Sequence, residues 1–265
     1  MGLDSENLGG TLGGGPGEGT RSKGYYHRRA YKRIYLQDRD LQILSYGLEQ
    51  KFLTVEQVSR RFFHPKETSK NPHQSAYLRT LILQKFGMVA LKPLLVGGKV
   101  VVTTDRGAGE LDSRGRERLE PVATVDYRYF EHDRRVTDVR IALESLNLAH
   151  SWRSERYLKS DYQVSRVPDA VFTLTNGQRV ALEVEIARKG KDRYQKILGE
   201  YTGGKFGEVN LLFYVCNTYP QLERLSELTK EYRWVYFALY DQLMSEKAET
   251  IFANQKEHFC LKELL

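Results

Sequence analysis

Residues 168–189 read PDAVFTLTNGQRVALEVEIARK, and this stretch decides how the rest of the chain is to be organised. Two apolar runs flank Asn176-Gly177, the dipeptide most typical of a tight hairpin turn. The second run alternates: Val180, Leu182, Val184 and Ile186 point one way, and Ala181, Glu183, Glu185 and Ala187 point the other. Two carboxylates therefore share one strand face, and Asp169 enters from the neighbouring strand directly after Pro168. Three carboxylates brought close together repel one another unless a cation neutralises them. A divalent ion such as magnesium, which prefers oxygen ligands, is the simplest neutraliser; a solvated hairpin face is the plainer alternative. A two-residue turn at Asn176-Gly177 pairs Asp169 with Val184, which turns its carboxylate away from Glu183 and Glu185. A shared site thus requires a one-residue irregularity, either a bulge or a bend at Pro168.

Working outward toward the N-terminus, residues 1–24 are rich in glycine and poor in large apolar side chains, a composition that predicts disorder. Residues 25–35 interleave Arg28, Arg29, Lys32 and Arg33 with Tyr25, Tyr26, Tyr31 and Tyr35, which reads as a DNA-touching arm or as a solvated tail. Leu41, Leu44 and Leu48 recur at helical spacing over 38–50. Thr54 with Gln57 forms a capping box that opens a second helix. A third helix runs to about Phe86 and is stopped by Gly87. Val89–Lys92 and Val100–Thr104 then read as short strands around Gly97-Gly98. Three helices followed by a hairpin is the winged-helix order. In that arrangement the third helix enters the DNA major groove by its N-terminal half, which here offers His73, Gln74, Ser75, Tyr77 and Arg79. Lys99 at the hairpin tip would lie along the phosphate backbone. A protein-docking role is the alternative, and the donors and cations on this face favour DNA. Residues 105–125 are polar, with Arg106, Arg114, Arg116 and Arg118 among several acidic residues, and read as a linker or a short helix.

Toward the C-terminus, a helix over Glu131–Asn147 carries Val136, Val139, Leu143 and Leu146 at helical spacing. Trp152–Leu158 reads as a strand, and the hairpin follows. A helix over Lys191–Tyr201 turns Tyr194, Ile197, Leu198 and Tyr201 inward and ends at Gly203-Gly204. Val209–Val215 is an almost continuous apolar run, as in a strand buried on both faces. Residues 220–233 read as helix, Trp234–Tyr240 as a strand, and the tail from Asp241 as helix with loop.

The formal charge of +7 is compatible with a nucleic-acid partner. Cys216 and Cys260 stand far apart in apolar contexts, without disulfide or zinc spacing, as in a reduced cytoplasmic protein. No apolar run approaches the roughly 18 residues that span a bilayer, and there is no basic-then-apolar export signal. Seventeen tyrosines exceed expectation, although many fall on inward faces. His132 beside Asp133 reads as structural, and Trp152 as core. No histidine cluster accompanies the tyrosines, which argues against a tyrosine nucleophile of the nicking type.

The order helix, strand, strand, strand, helix, strand, with Pro168-Asp169 before the turn and Glu183-Val184-Glu185 after it, resembles the core of the PD-(D/E)xK nuclease superfamily. Together with the preceding winged helix, residues 131–144, Trp152 with Glu155, and 181–201, the chain resembles the replication-relaxation family, whose members are associated with plasmids and mobile elements. The resemblance covers roughly residues 36–215. It implies a mixed α/β protein: a tail over 1–35, a winged helix-turn-helix over 36–104, a linker over 105–130, and a restriction-endonuclease-like αβββαβ domain over 131–265. It further implies a double-stranded DNA partner, a homodimer or a replication or transfer protein as assembly partner, and magnesium or manganese held by Asp169 and Glu183. Such an ion would neutralise the scissile phosphate and lower the pKa of the attacking water. The superfamily pattern wants lysine where this chain has Glu185. Arg188, Lys189 and Lys191 are the nearest substitutes, with Lys189 preferred. Asp138 and Glu144 are alternative ligands from the first helix. Loss of the lysine leaves a second expectation open, a nuclease fold that serves as a DNA-binding or partner-binding accessory factor, and a third, a transcriptional regulator.

Overall fold

The computed structural model describes residues 34–63, 71–94, 98–117, 119–162, 166–187, 190–202 and 209–265. The predicted disordered tail, most of the basic tyrosine arm, Arg188, Lys189 and Gly203-Gly204 lie outside them. Residues 34–265 form one compact unit.

Its first part layers helices over a small sheet. α1 (Asp38–Glu49) is followed by β1 (Leu53–Thr54) and α2 (Val55–Phe62). Thr54 and Gln57 close the capping box reciprocally: the Gln57 N–H donates to Thr54 Oγ1 at 3.1 Å and the Thr54 N–H to Gln57 Oε1 at 2.9 Å. α3 (Pro72–Lys85) has Asn71 as its N-cap, proline in its first turn, and Gly87 at φ +71° just past its end. β2 (Val89–Pro93) and β3 (Lys99–Thr103) pair antiparallel, and β3 also pairs with β1, giving the order β1-β3-β2. Val89, Leu91 and Val101 pack on the helical face of this sheet. Val100 and Val102 pack on the other, under Phe52, Val125 and Phe130.

The segment expected to be a linker is largely built into this layer. α4 (Asp105–Asp112) packs against α1 and β3. A Cβ on Gly107 would sit 2.3 Å from the Met88 carbonyl oxygen, so only glycine allows this approach. Leu111 and Leu119 are buried in the helical core. With only Ala108 and Leu111 as inward apolar groups, α4 is too short to show a period.

The second part is built on α5 (Phe130–Ser145), β4 (Ala149–Ser154), α6 (Glu155–Tyr162), β5 (Ala170–Leu174), β6 (Arg179–Glu185), α7 (Lys191–Thr202), β7 (Leu211–Cys216), α8 (Tyr219–Leu228), β8 (Val235–Leu239), α9 (Tyr240–Glu246), β9 (Ile251–Ala253) and β10 (His258–Cys260). The sheet order is β10-β9-β8-β7-β6-β5-β4. β6, β7 and β8 run parallel, and the outer pairs are antiparallel. α5 covers one face with Val136, Val139 and Leu143 against Leu182 and Val184. α7 covers the other with Tyr194, Ile197, Leu198 and Tyr201 against Ala181, Leu212 and Tyr214. Trp152–Leu158 is therefore not one strand: the chain turns into α6 at Glu155. The tail adds the hairpin β9–β10, whose three-residue strands leave no readable alternation.

The two parts share a buried polar clasp. Arg140 of α5 donates to Glu49 of α1 at 2.6 Å and to Glu144 at 2.8 Å, with its guanidinium 3.8 Å above the Tyr46 ring. Ile141 and Tyr157, from the second part, lie in the helical core of the first. Among the described residues, no helix is long and apolar enough to cross a membrane.

Candidate functional site

The irregularity that a shared acidic site requires begins at the turn. The Leu174 N–H donates to the Gln178 carbonyl at 2.8 Å and the Gly177 N–H to the Leu174 carbonyl at 2.9 Å, so residues 175–177 form a three-residue loop. Gly177 sits at φ +84°, a conformation that asparagine-glycine loops supply readily. The register moves by one, to Ala170↔Leu182, and Asp169 falls opposite Glu183 rather than Val184.

Asp169 also leaves the ladder. Its N–H donates to the Leu182 carbonyl at 3.0 Å, and its carbonyl accepts the Glu155 N–H at 2.9 Å, anchoring the start of α6. Its carboxylate accepts the Val184 N–H at 2.7 Å. β6 continues past this point beside β7 alone, with Glu183, Val184 and Glu185 facing Tyr214, Val215 and Cys216. The carboxylate thus occupies the place where β5 would have continued.

Glu183 and Glu185 lie on the α7 face and are 7% and 2% exposed. The Tyr201 hydroxyl donates to Glu183. Burial, and then the Glu183 charge, push the Tyr201 and Tyr214 phenols well above their ordinary range. Tyr201 also feels Asp169, and Tyr214 feels Glu185. Both phenols thus lie in the field of Glu183, and only Tyr201 donates to it.

On its other side, Asp169 meets α5. His132 Nε2 lies 3.2 Å from Asp169 Oδ2 and His132 Nδ1 lies 3.4 Å from Asp133 Oδ1. Lys51, just after α1, reaches Asp133 at 2.8 Å and Glu155 at 3.2 Å. The Asp169 charge, opposed by burial and helped by Asp133, raises the His132 pKa from 6.5 to about 11, which makes it an imidazolium at neutral pH. Asp133 and Glu155 overcome burial at Lys51 and raise its pKa also. Gln50, Lys51, His132, Asp133, Ser154 and Asp169 line a cavity of about 20 Å³, room for little more than a water-sized group. His132 is thus part of the site rather than a purely local helix-start residue. Lys51 gave no sequence signal, since its partners lie 82 and 104 positions away.

The alternative first-helix ligands are committed elsewhere. Asp138 accepts from Gln57 at 3.1 Å, Arg134 at 2.7 Å and Tyr240 at 2.7 Å, and pairs with Arg60. Glu144 pairs with Arg61 and Arg140 and accepts from Tyr46. Among the described residues, no group of three histidine, cysteine, aspartate or glutamate side chains is arranged to hold a metal ion. Asp169 and Glu183 already accept from His132, the Val184 N–H and Tyr201. An ion at these two carboxylates would have to displace those donors.

The DNA-facing set divides. His73 and Gln74 are exposed in the first turn of α3, and Lys99 is exposed at the hairpin. Ser75 Oγ donates to the Asn71 carbonyl at 3.2 Å, part of the cap. Tyr77 is half-buried, with the Lys99 ammonium 5.9 Å from its ring centre. Arg79 turns inward instead, donating from Nε to fully buried Asp40 at 2.7 Å and tying α3 to α1. Leu78 and Ile82 are exposed apolar groups farther along the helix. Comparison with protein-family models, characterised proteins and solved structures finds no match to this chain.

Proposed function

We propose that this chain binds double-stranded DNA as an accessory protein of plasmid or mobile-element replication or relaxation. In this reading, residues 36–104 with α4 act as a winged helix, and the C-terminal part is a PD-(D/E)xK-like domain whose acidic site is held by protein donors. Two pairings support the fold: β1 with β3 beside three helices, and antiparallel β4–β5–β6 followed by parallel β7, the expected αβββαβ order with α6 inserted between β4 and β5. The observation that carries the functional reading is the capping of the acids. Tyr201 donates to Glu183, and the Val184 N–H and the His132 imidazolium engage Asp169, so these two carboxylates are held by protein donors and the Asp169 charge is offset by His132. DNA contact falls to His73, Gln74, Tyr77 and Lys99, with Arg79 and Ser75 supporting the helix that carries them.

A second reading, a magnesium- or manganese-dependent endonuclease using Asp169, Glu183, Glu185 and Lys189, is favoured by the one-residue register shift that brings Asp169 opposite Glu183. Supercoiled plasmid incubated with either ion separates the two. The accessory reading expects binding without cleavage. Cleavage by wild type that disappears in both Asp169→Ala and Glu183→Ala would replace it with the enzyme reading. Duplex affinity measured against salt tests DNA binding itself; a slope near zero would remove phosphate contact from the account.

A further inference from the structure

The segment before α5 exposes aromatic rings in a way the core does not require. Tyr127 is 47% and Tyr129 57% exposed, with Arg128 between them. Tyrosine is enriched at interfaces, and two exposed rings flanking an arginine on an anchored segment form a candidate binding surface. These are held rigid. Arg128 grips Asp126 through its N–H at 3.0 Å and its guanidinium at 3.0 and 2.7 Å. The Tyr129 N–H donates to the Asp126 carbonyl at 3.1 Å, and Tyr129 is the N-cap residue of α5.

The rings are also anchored from beneath. Phe52 stacks on Phe130 at 5.0 Å, and Tyr127 leans on Phe130 at 6.5 Å, so an aromatic column rises from the core to the surface. Tyr127 Oη donates to the Pro93 carbonyl at 3.0 Å, and Lys92 Nζ to the Ala123 carbonyl at 2.8 Å. Both contacts fix the segment to the β2–β3 hairpin, on the side away from α3. The Arg128 guanidinium lies 5.7 Å from the Tyr129 ring centre. Phe130, beneath Tyr127, opens α5 two residues before His132, which lines the cavity that also holds Asp169.

We propose that Tyr127, Arg128 and Tyr129 form a stacking platform for unpaired bases of a DNA strand that continues past the β2–β3 hairpin from the duplex on α3. This rests on the DNA-binding reading. The chemistry fits that ligand: any base offers a π-face to a tyrosine, and a guanidinium plane stacks on bases while its charge faces phosphate. Asp126 offsets part of that charge, so stacking rather than ion pairing carries the preference. A blunt duplex would leave the rings uncovered.

The test compares a blunt duplex with the same duplex carrying a short single-stranded extension, by fluorescence anisotropy, on the full chain. A 2-aminopurine in the extension reports stacking by quenching. Wild type is expected to bind the extended duplex about tenfold more tightly, with quenching. Tyr127→Phe with Tyr129→Phe keeps the preference. Tyr127→Leu with Tyr129→Leu removes both preference and quenching while leaving blunt-duplex affinity unchanged. Tyr129→Leu alone, whose hydroxyl has no bond to the hairpin, is expected to lose most of the preference should the double variant fold poorly. Blunt binding with no gain from the extension overturns the platform alone, as does a gain that survives in the leucine variants. Failure of wild type to bind any DNA overturns the platform together with the reading on which it rests.

Discussion

Asp169→Asn removes the charge that holds His132 protonated, and the consequence is measurable as a pH dependence. The His132 side chain is 30% exposed and that of Asp169 only 11%, so solvent screens the pair weakly. The folded pKa of His132, about 11, lies above its ordinary 6.5. A raised pKa contributes stability that is fully present below pH 6.5 and is lost as pH rises toward 11. Each pH unit inside that window removes about 1.4 kcal/mol, so moving from roughly pH 6.5 to roughly pH 9.5 removes about 4 kcal/mol. In Asp169→Asn the largest cause of the shift is gone, and most of this slope goes with it. Urea unfolding of both proteins across the window should therefore show the wild-type advantage shrinking as pH rises. Proton NMR of the imidazole, assigned by subtraction with His132→Gln, should show no wild-type titration step near neutrality and a step in Asp169→Asn. A wild-type step near pH 6.5, or unfolding free energies that stay parallel across the window, would refute the pairing.

Other outcomes follow from the same geometry. Arg140→Met leaves the buried Glu49 carboxylate without its arginine, while Glu144 keeps Arg61, and should cost about 3–5 kcal/mol in denaturant unfolding; a loss under 1 kcal/mol would mean the clasp is not closed. Gly107→Ala drives a methyl group into the Met88 carbonyl and should cost about 1–3 kcal/mol, whereas an unchanged thermal midpoint would mean that α4 is loosely attached. Tyr201→Phe deletes the donor to buried Glu183 and should destabilise by about 1–3 kcal/mol. Manganese binding followed by electron paramagnetic resonance should stay absent in wild type and in His132→Ala; ion uptake that appears only once the imidazolium is removed would show the acids to be a latent metal site and would favour the nuclease reading.

Much of the fold was legible because long amphipathic elements repeat their signal. Tyr194, Ile197, Leu198 and Tyr201 on α7 are all buried, as their spacing requires. The Thr54–Gln57 box and the doubly buried β7 are likewise local facts of the sequence. Features decided by tertiary contact were not legible. α4 is held by a glycine contact rather than by a stripe. β9 and β10 are too short to alternate, and Trp152–Leu158 changes from strand to helix where Glu155 binds the Asp169 carbonyl. Arg79 has the composition of a DNA contact, yet Asp40, buried on α1, draws it inward. Within the site, the need for an irregular register was readable. Which residues neutralise Asp169 was not, because His132 and the Val184 N–H reach it only through the folded sheet.

The position of Asp169 links the two questions the site raises, how the acids are tolerated and what they can bind. A carboxylate set where β6 outruns β5 sees both faces of the sheet. From the α5 face it takes an imidazolium, and toward the α7 face its charge acts on Tyr201, the donor to Glu183. Had the turn been two residues long, Asp169 would have faced away and Glu183 and Glu185 would have been left with the tyrosines alone. The third loop residue, made possible by Gly177, is therefore what converts an acidic strand into a connected site. The same shift hands the Asp169 carboxylate to His132. Whether this end of the sheet holds a cation thus reduces to competition between a protein imidazolium already in contact and an ion that must first displace it.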